Sequence, residues 1–227
     1  YPWFHNEALY KREGFPWSGS LKDRFSLLKT NVLTEEYAHE YVSHRYFSTV
    51  EKAQFLPSDS ETDKFMRKMF LLNINWFMQT LLDRKDRLSM AHSLEVRVPF
   101  CDHRLVQYAY NIPWNIKSYE GREKGILRKA FEGILPNEIV LRKKSPYPKT
   151  HNPLYFEIVT KILKEIIENS ASPINEIVNK EKIKEIIENE NAFATPIYGQ
   201  LMTKPQVFAY LIQLNFWLEK YRVNICI

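Results

Sequence analysis

Glycine is scarce in this sequence, with six residues among 227 against twelve prolines and an aromatic set of five Trp, thirteen Tyr and fourteen Phe. A doubly wound sheet spends glycine at its strand–helix turns, so this balance points to helices packed through aromatic and aliphatic faces. Neither a Walker A pattern nor a dinucleotide fingerprint occurs, so no glycine-rich loop is present to cradle a phosphate. Two cysteines, Cys101 and Cys226, are too few for a disulfide framework, and a cytoplasmic, reducing setting is the simplest expectation. The longest apolar run, MFLLNINWFMQTLL, is too short to span a bilayer and is flanked by Arg67, Lys68, Asp83 and Arg84. No sign of charge dominates: 32 Lys and Arg face 27 Asp and Glu, a net of +5. Such a balance suits a small anionic ligand and gives little support to nucleic-acid binding. An initiator methionine is lacking too. The chain opens YPWFHNEALY, an aromatic cluster suited to the middle of a protein, and a fragment is expected.

What is present reads as helix. A loop-like opening to about Ser20 leads into SLKDRFSLLKTNVL, with Leu21, Phe25 and Leu28 on one face. Thr34 is a candidate N-cap for a helix running to about Phe55. Ser60 and Asp63 form a capping-box pattern before a third helix, whose apolar residues nearly encircle it from Phe65 to Leu81, so it is expected to be buried along its length. Asp102 can cap HRLVQYAYN, and GREKGILRKAFEGIL predicts a helix closed at Gly133. Two Ile/Lys/Glu-rich segments, LYFEIVTKILKEIIENS and NKEKIKEIIENENAF, predict amphipathic helices. A last helix has Pro205 in its first turn. About eight helices emerge, with at most a short extended piece at EVRVPF.

Chemistry has few candidates. The adjacent triple Cys101, Asp102 and His103 lies on a capping turn, where successive side chains diverge, so a thiol, an N-cap and a surface imidazole explain it better than a triad. His39 and His44, five apart, do not share a helix face, and the histidines lack zinc-ligand spacing. Two basic elements remain: Arg84, Lys85 and Arg87 interleaved with Asp83 and Asp86, and the run Arg142, Lys143 and Lys144 leading into a proline-rich loop. If the third helix is buried, its terminal charges need partners, and pairs of Arg84 or Arg87 with Asp86 or Glu95 would supply them. The prolines after Lys144 reduce backbone freedom and could hold it as an anion contact, although lysines in such loops are often simply solvated.

At DRLSMAHSLEVRVPFCDHRL the sequence resembles the asparagine synthase family, glutamine-hydrolysing type, whose synthetase domain carries D-R-x-S-M-A-x-S-L-E-x-R-V-P-F-x-D-H-R-L. Asp86, Arg87, Ser89, Glu95, Arg97, Asp102 and His103 stand at matching positions. GREKGILRKAFEGILPNEIVLRKKSPYP is similar to a later family block, a basic helix followed by an R-x-K loop. YGQLMTKPQVFAYLIQLNFWLEKY resembles the C-terminal end of bacterial members.

The resemblance implies the mainly α, helical C-terminal portion of an adenine-nucleotide-alpha-hydrolase-like synthetase domain, over residues 1–227. The glutaminase domain and pyrophosphate loop are absent from it. It also implies an ATP- and Mg²⁺-dependent ligase that takes aspartate through an aspartyl-adenylate to asparagine with glutamine-derived ammonia, in a full-length protein that could be a homodimer. On this chain it places phosphate contacts at Lys144 and Arg84. Asp83, Asp86, Arg87, Glu95 and Arg97 form a supporting charge network, and no metal ligand is assigned. Leu81 replaces an acid that some relatives carry, and whether Asp83 substitutes for it is open. Another amide ligase of the same fold, β-lactam-forming or peptide-modifying, and a helical interaction module without a site are the alternatives. The isolated chain is expected to be inactive.

Overall fold

The computed structural model describes residues 14–17, 21–143, 152–189, 192 and 203–226. Its α-helices are α1 (Leu21–Phe25), α2 (Glu35–Val50), α3 (Glu61–Leu72), α4 (Gln79–Met90), α5 (His103–Asn111), α6 (Trp114–Lys117), α7 (Gly125–Ala130), α8 (Asn137–Val140), α9 (Pro153–Glu168), α10 (Lys180–Glu188) and α11 (Lys204–Tyr221). Among the described residues there is no strand, only one isolated antiparallel bridge between Leu28 and Val178. None of their helices is long and apolar enough to cross a membrane. The chain divides into two compact units, a middle one of residues 1–12 and 45–146 and a C-terminal one of residues 13–44 and 147–227.

The C-terminal unit is an apolar core wrapped by amphipathic helices. Val159, Leu163 and Ile167 recur every four residues along α9, Ile183 and Ile186 do the same work on α10, and Val207, Phe208 and Leu211 face them from α11. Ile174 and Val178 fill the turn between α9 and α10 and are fully buried. The main chain is sealed too. Lys29 N–H donates to the Ile177 carbonyl at 2.9 Å, and Asn179 N–H to that of Leu27 at 2.9 Å. Asn175 Nδ2 donates to the Asn169 carbonyl at 2.8 Å and to that of Ile166 at 3.2 Å, closing the open end of α9. Lys204 Nζ, itself buried, does the same for α10 by donating to the Ile187 and Asn189 carbonyls at 3.1 and 2.9 Å. α11 starts in a capping box of Thr203 and Gln206, with Pro205 in its first turn as the sequence predicts.

The middle unit is built around α3, which opens in the expected capping box: Ser60 Oγ accepts from Asp63 N–H at 3.1 Å, and Asp63 accepts back from Ser60 N–H at 3.3 Å. One continuous helix is expected through Leu81, but Asn73–Met78 widens into a π-helical segment before α4 begins. In that segment Asn73 Nδ2 donates to the Met69 carbonyl at 2.7 Å, and Trp76 Nε1 donates to Thr49 Oγ1 on α2 at 3.0 Å. Burial follows the same division. Met66, Met69 and Leu72 of α3 are buried, whereas α4 has no buried residue. The expectation of a helix buried along its length is therefore corrected: past the π turn, polar residues occupy every face.

Other boundaries shift for local reasons. α2 ends at Val50 rather than near Phe55. The helix predicted over GREKGILRKAFEGIL shortens to α7, followed by turns that include Gly133 in the left-handed region at φ 73°. Gly125 opens α7 against the Tyr119 main chain, so closely that a Cβ would collide with it. EVRVPF is irregular and ends in a short 3₁₀ turn, Pro99–Cys101.

Candidate functional site

The stretch around Asp102 turns Cys101 away from the other two suggestive side chains, while His103 Nδ1 stays 3.9 Å from Asp102 Oδ1 at the surface. Asp102 caps α5, accepting from Arg104 N–H at 2.9 Å while the Arg104 guanidinium grips the same carboxylate at 2.7 and 3.0 Å. The Arg104 side chain and then its N–H hold the carboxyl at about 2, below its ordinary 3.8. Cys101 Sγ turns the other way, 3.8 Å from Met78 Sδ, and the His103 side chain is 89% exposed. The geometry is that of a cap, as the sequence suggests.

The charges of α4 and the segment after it lie on the surface. Arg87 Nε donates to Asp83 at 2.7 Å, one helical turn away, and Arg97 donates to Glu95 at 3.1 Å. Asp86 and Arg84 are exposed, and Arg84 has no ion pair among the described residues. The internal network expected of Arg84, Arg87, Asp86 and Glu95 is thus two local surface pairs. The reason is the exposure of α4: charges that keep their water need no buried partner.

A buried network does exist, but elsewhere. Arg67 on α3 makes a two-pronged contact with Asp59, at 2.7 and 3.2 Å, with only 5% and 6% of the two side chains exposed. Its third nitrogen donates to the Tyr110 carbonyl at 3.2 Å, and the guanidinium lies 5.4 Å from the centre of the Tyr110 ring. The Asp59 carboxyl is held below its ordinary range by the Arg67 hydrogen bond. Asp63 accepts from Trp114 N–H at 2.8 Å, and its carboxyl is lowered by the Ser60 hydroxyl and then by that N–H. Lys117 Nζ reaches the Tyr110 carbonyl at 3.3 Å and sits 4.1 Å from the Phe70 ring centre. Burial pushes this ammonium down to about 8, with the nearby Arg67 charge adding to the shift and Asp63 opposing it. Sequence reasoning took Arg67 for a flanking charge. The signal was its spacing: Asp59, Asp63 and Arg67 stand four apart, in phase with buried Met66 and half-buried Phe70.

The second basic element sits beside α7 and α8. Arg142 and Lys143 are exposed, while Lys144 lies outside the described residues. Their approach is fixed by Arg128 on α7. Its Nη1 donates to the Val140 carbonyl, its Nη2 to the Arg142 carbonyl at 2.8 Å and to Glu123 Oε1 at 3.0 Å, and its Nε to the Glu123 carbonyl at 2.9 Å. An open cleft of about 380 Å³ is lined by Lys124, Leu127, Arg128, Leu135, Arg142 and Lys143 among others. A second cavity of about 560 Å³, bounded by Phe70, Met78, Phe100, Tyr110, Lys117 and Leu127 among others, is mainly apolar, with Lys117 its one charged lining residue. The first has the electrostatics for an anion and the second does not. No group of three or more His, Cys, Asp or Glu among the described residues is placed to hold a metal ion.

Cations gathered beside an open cleft give this helical chain a surface suited to an anion. The chain belongs to the asparagine synthase family, whose model, described as asparagine synthase, matches residues 1–219. It is 47% identical over 226 residues to asparagine synthetase [glutamine-hydrolyzing] 3 of Bacillus subtilis (strain 168), an alignment covering 99% of this chain and 36% of that protein. Asparagine synthetase [glutamine-hydrolyzing] 1 of the same strain is 29% identical over 177 residues, covering 76% of this chain and 27% of that protein. The Homo sapiens asparagine synthetase [glutamine-hydrolyzing] is 31% identical over 117 residues, or 50% of this chain and 18% of that protein. The chain thus spans between 18% and 36% of the length of these three relatives.

Proposed function

We propose that this chain is the C-terminal, helical part of the synthetase domain of a cytoplasmic, glutamine-hydrolysing asparagine synthase with an adenine-nucleotide-alpha-hydrolase-like fold. Family membership along residues 1–219 is the observation that carries the reading. The exposed apolar side chains Leu88, Leu94, Phe100 and Tyr108 support it too, since a neighbouring part of the same protein would cover them. In this reading an oxygen of the aspartate side-chain carboxylate attacks the α-phosphorus of ATP, and the bond to the leaving pyrophosphate breaks. Ammonia derived from glutamine then attacks the activated acyl carbon, and AMP departs with the carboxylate oxygen.

The contribution of this chain is electrostatic. Lys144 and Arg84 stabilise charge on the phosphates as it shifts to the leaving group, an effect that fixed cations supply without reorganisation. Arg84 suits this because it is exposed and has no ion pair among the described residues. Asp83, Asp86, Arg87, Glu95 and Arg97 would support that surface. No group of three or more His, Cys, Asp or Glu among the described residues is placed to hold Mg²⁺, and no step is assigned to it on this chain.

Aspartate-dependent exchange between ATP and labelled pyrophosphate in the full-length protein tests the reading. Lys144→Ala is expected to lower exchange about a hundredfold, the scale of losing one fixed charge from a transition state. Full exchange in that variant would remove Lys144 from the phosphates, and ATP turnover by these 227 residues alone would refute the partial-domain reading.

A further inference from the structure

We infer that the cavity between α3, α5 and α7 binds a small apolar monocarboxylate, with its hydrocarbon body against the walls and its carboxylate on Lys117. Neither Arg84 nor Lys144 takes part. The volume of about 560 Å³ falls within the range of small-molecule pockets, whereas close-packed interiors leave few voids larger than a water molecule. Three elements build the walls: Phe70, Ile74 and Met78 come from α3 and the π-helical segment, Leu105 and Val106 from α5, and Leu127 from α7. Ile74 and Met78 belong to the widened turn, a feature that recurs at functional sites.

The polar end of the site is set by what Lys117 lacks. An ammonium carries several donors, yet the Tyr110 carbonyl at 3.3 Å is the one acceptor they reach among the described residues. The Phe70 ring, its centre 4.1 Å away, offers a π face and no lone pair. The nearby carboxylates are committed elsewhere, Asp59 to Arg67 and Asp63 to Ser60 and the Trp114 N–H. A ligand carboxylate supplies the missing counter-charge and offsets the burial that disfavours this ammonium. A bare anion would gain too little from one cation. An acid with an apolar body is a different case, because burying that body supplies most of the binding and the ammonium has only to hold the head. Phe100 and Tyr108 line the same cavity and are largely exposed, which puts them at its mouth, where a neighbouring part of a longer protein would close over the ligand.

Calorimetric titration of the full-length protein at neutral pH tests the site, with octanoate as the probe and 1-octanol as its uncharged counterpart of equal chain length. Saturable binding of octanoate is expected. Lys117→Met keeps an unbranched side chain and removes the charge, so it should weaken octanoate about tenfold, the scale of a hydrogen bond to a charged group, and leave octanol unchanged. Absence of saturable octanoate binding overturns the proposal, as it would if polypeptide filled the cavity. Equal weakening of both probes, or of neither, overturns it too, since the carboxylate would then not rest on Lys117. Should Lys117→Met fail to fold by far-UV circular dichroism, Ala130→Trp narrows the cavity from its α7 wall and should weaken both probes. Unchanged octanoate affinity in that variant would put the binding elsewhere and overturn the site.

Discussion

In the C-terminal unit Leu163, Ile174, Val178 and Val207 show no exposed surface, whereas in the middle unit Phe100 is 74% and Ile134 70% exposed. Both units bury a charged side chain, but with different partners: Lys204 in the C-terminal unit donates to carbonyls, whereas Arg67 in the middle unit pairs with a carboxylate. In the C-terminal unit the Lys and Glu residues of α9 and α10 lie mainly on the solvent side, while the middle unit buries Arg67 against Asp59. One unit holds itself together by apolar burial. The other relies on a charged hydrogen-bonded cluster joining α3 to α5 and α6, and leaves apolar surface uncovered. Under the proposed function, stability and the Arg84 phosphate contact would be lodged in different parts of the chain, because Arg84 belongs to the unit with the thinner core.

The sharpest way to break that contrast is Leu163→Ala. Removing a fully buried side chain from the middle of α9 is expected to cost about 2–5 kcal/mol. Hydrogen exchange should speed up in α9, α10 and α11 while α3 keeps its protection; equal loosening of both units would erase the distinction. Arg67→Met comes next, with the exposures interchanged: the Asp59 carboxylate loses its partner, and α3, α5 and α6 should exchange faster with α9 unchanged.

A titration sharpens the comparison further. Lys117 has a folded pKa of about 8 against an ordinary 10.5, so between those values the unfolded chain binds a proton that the folded chain has released. Stability of the middle unit is therefore expected to rise with pH from about 8 to 10.5 through this group, and Lys117→Met should flatten the difference curve. A wild-type curve that Lys117→Met leaves superimposable would show that the ammonium is not desolvated. The smallest effect belongs to Asp83→Asn, which breaks only the surface pair with Arg87 and should change stability by less than about 0.5 kcal/mol. A loss of several times that would restore the buried network the sequence suggests.

The parts of this fold that could be read in advance are those decided within a few residues. Ser60 with Asp63, Asp102 before α5 and Pro205 opening α11 all depend on neighbours in sequence, and the four-residue rhythm of α9 needs no partner to be visible. What escaped depends on distant contacts. Arg67 meets Tyr110 across 43 residues and Asp63 meets Trp114 across 51, so composition shows only a charge on an apolar helix. Arg128 escaped because three of its four acceptors are carbonyls, which every residue possesses. For the candidate site, the motif from Asp86 to Leu105 identified the family, but it did not reveal that its charges face solvent.

The π-helical segment at Asn73–Met78 has a final consequence. An α-helix turns about 100° per residue, and a π turn accommodates one residue more than an α turn. It therefore behaves as a frame shift written into the backbone: α4 emerges rotated by one position relative to the face that α3 has set. Deleting one residue between Asn73 and Met78 would restore the uninterrupted phase, swing Arg84 by about that angle, and bring Leu81 and Leu88 round with it.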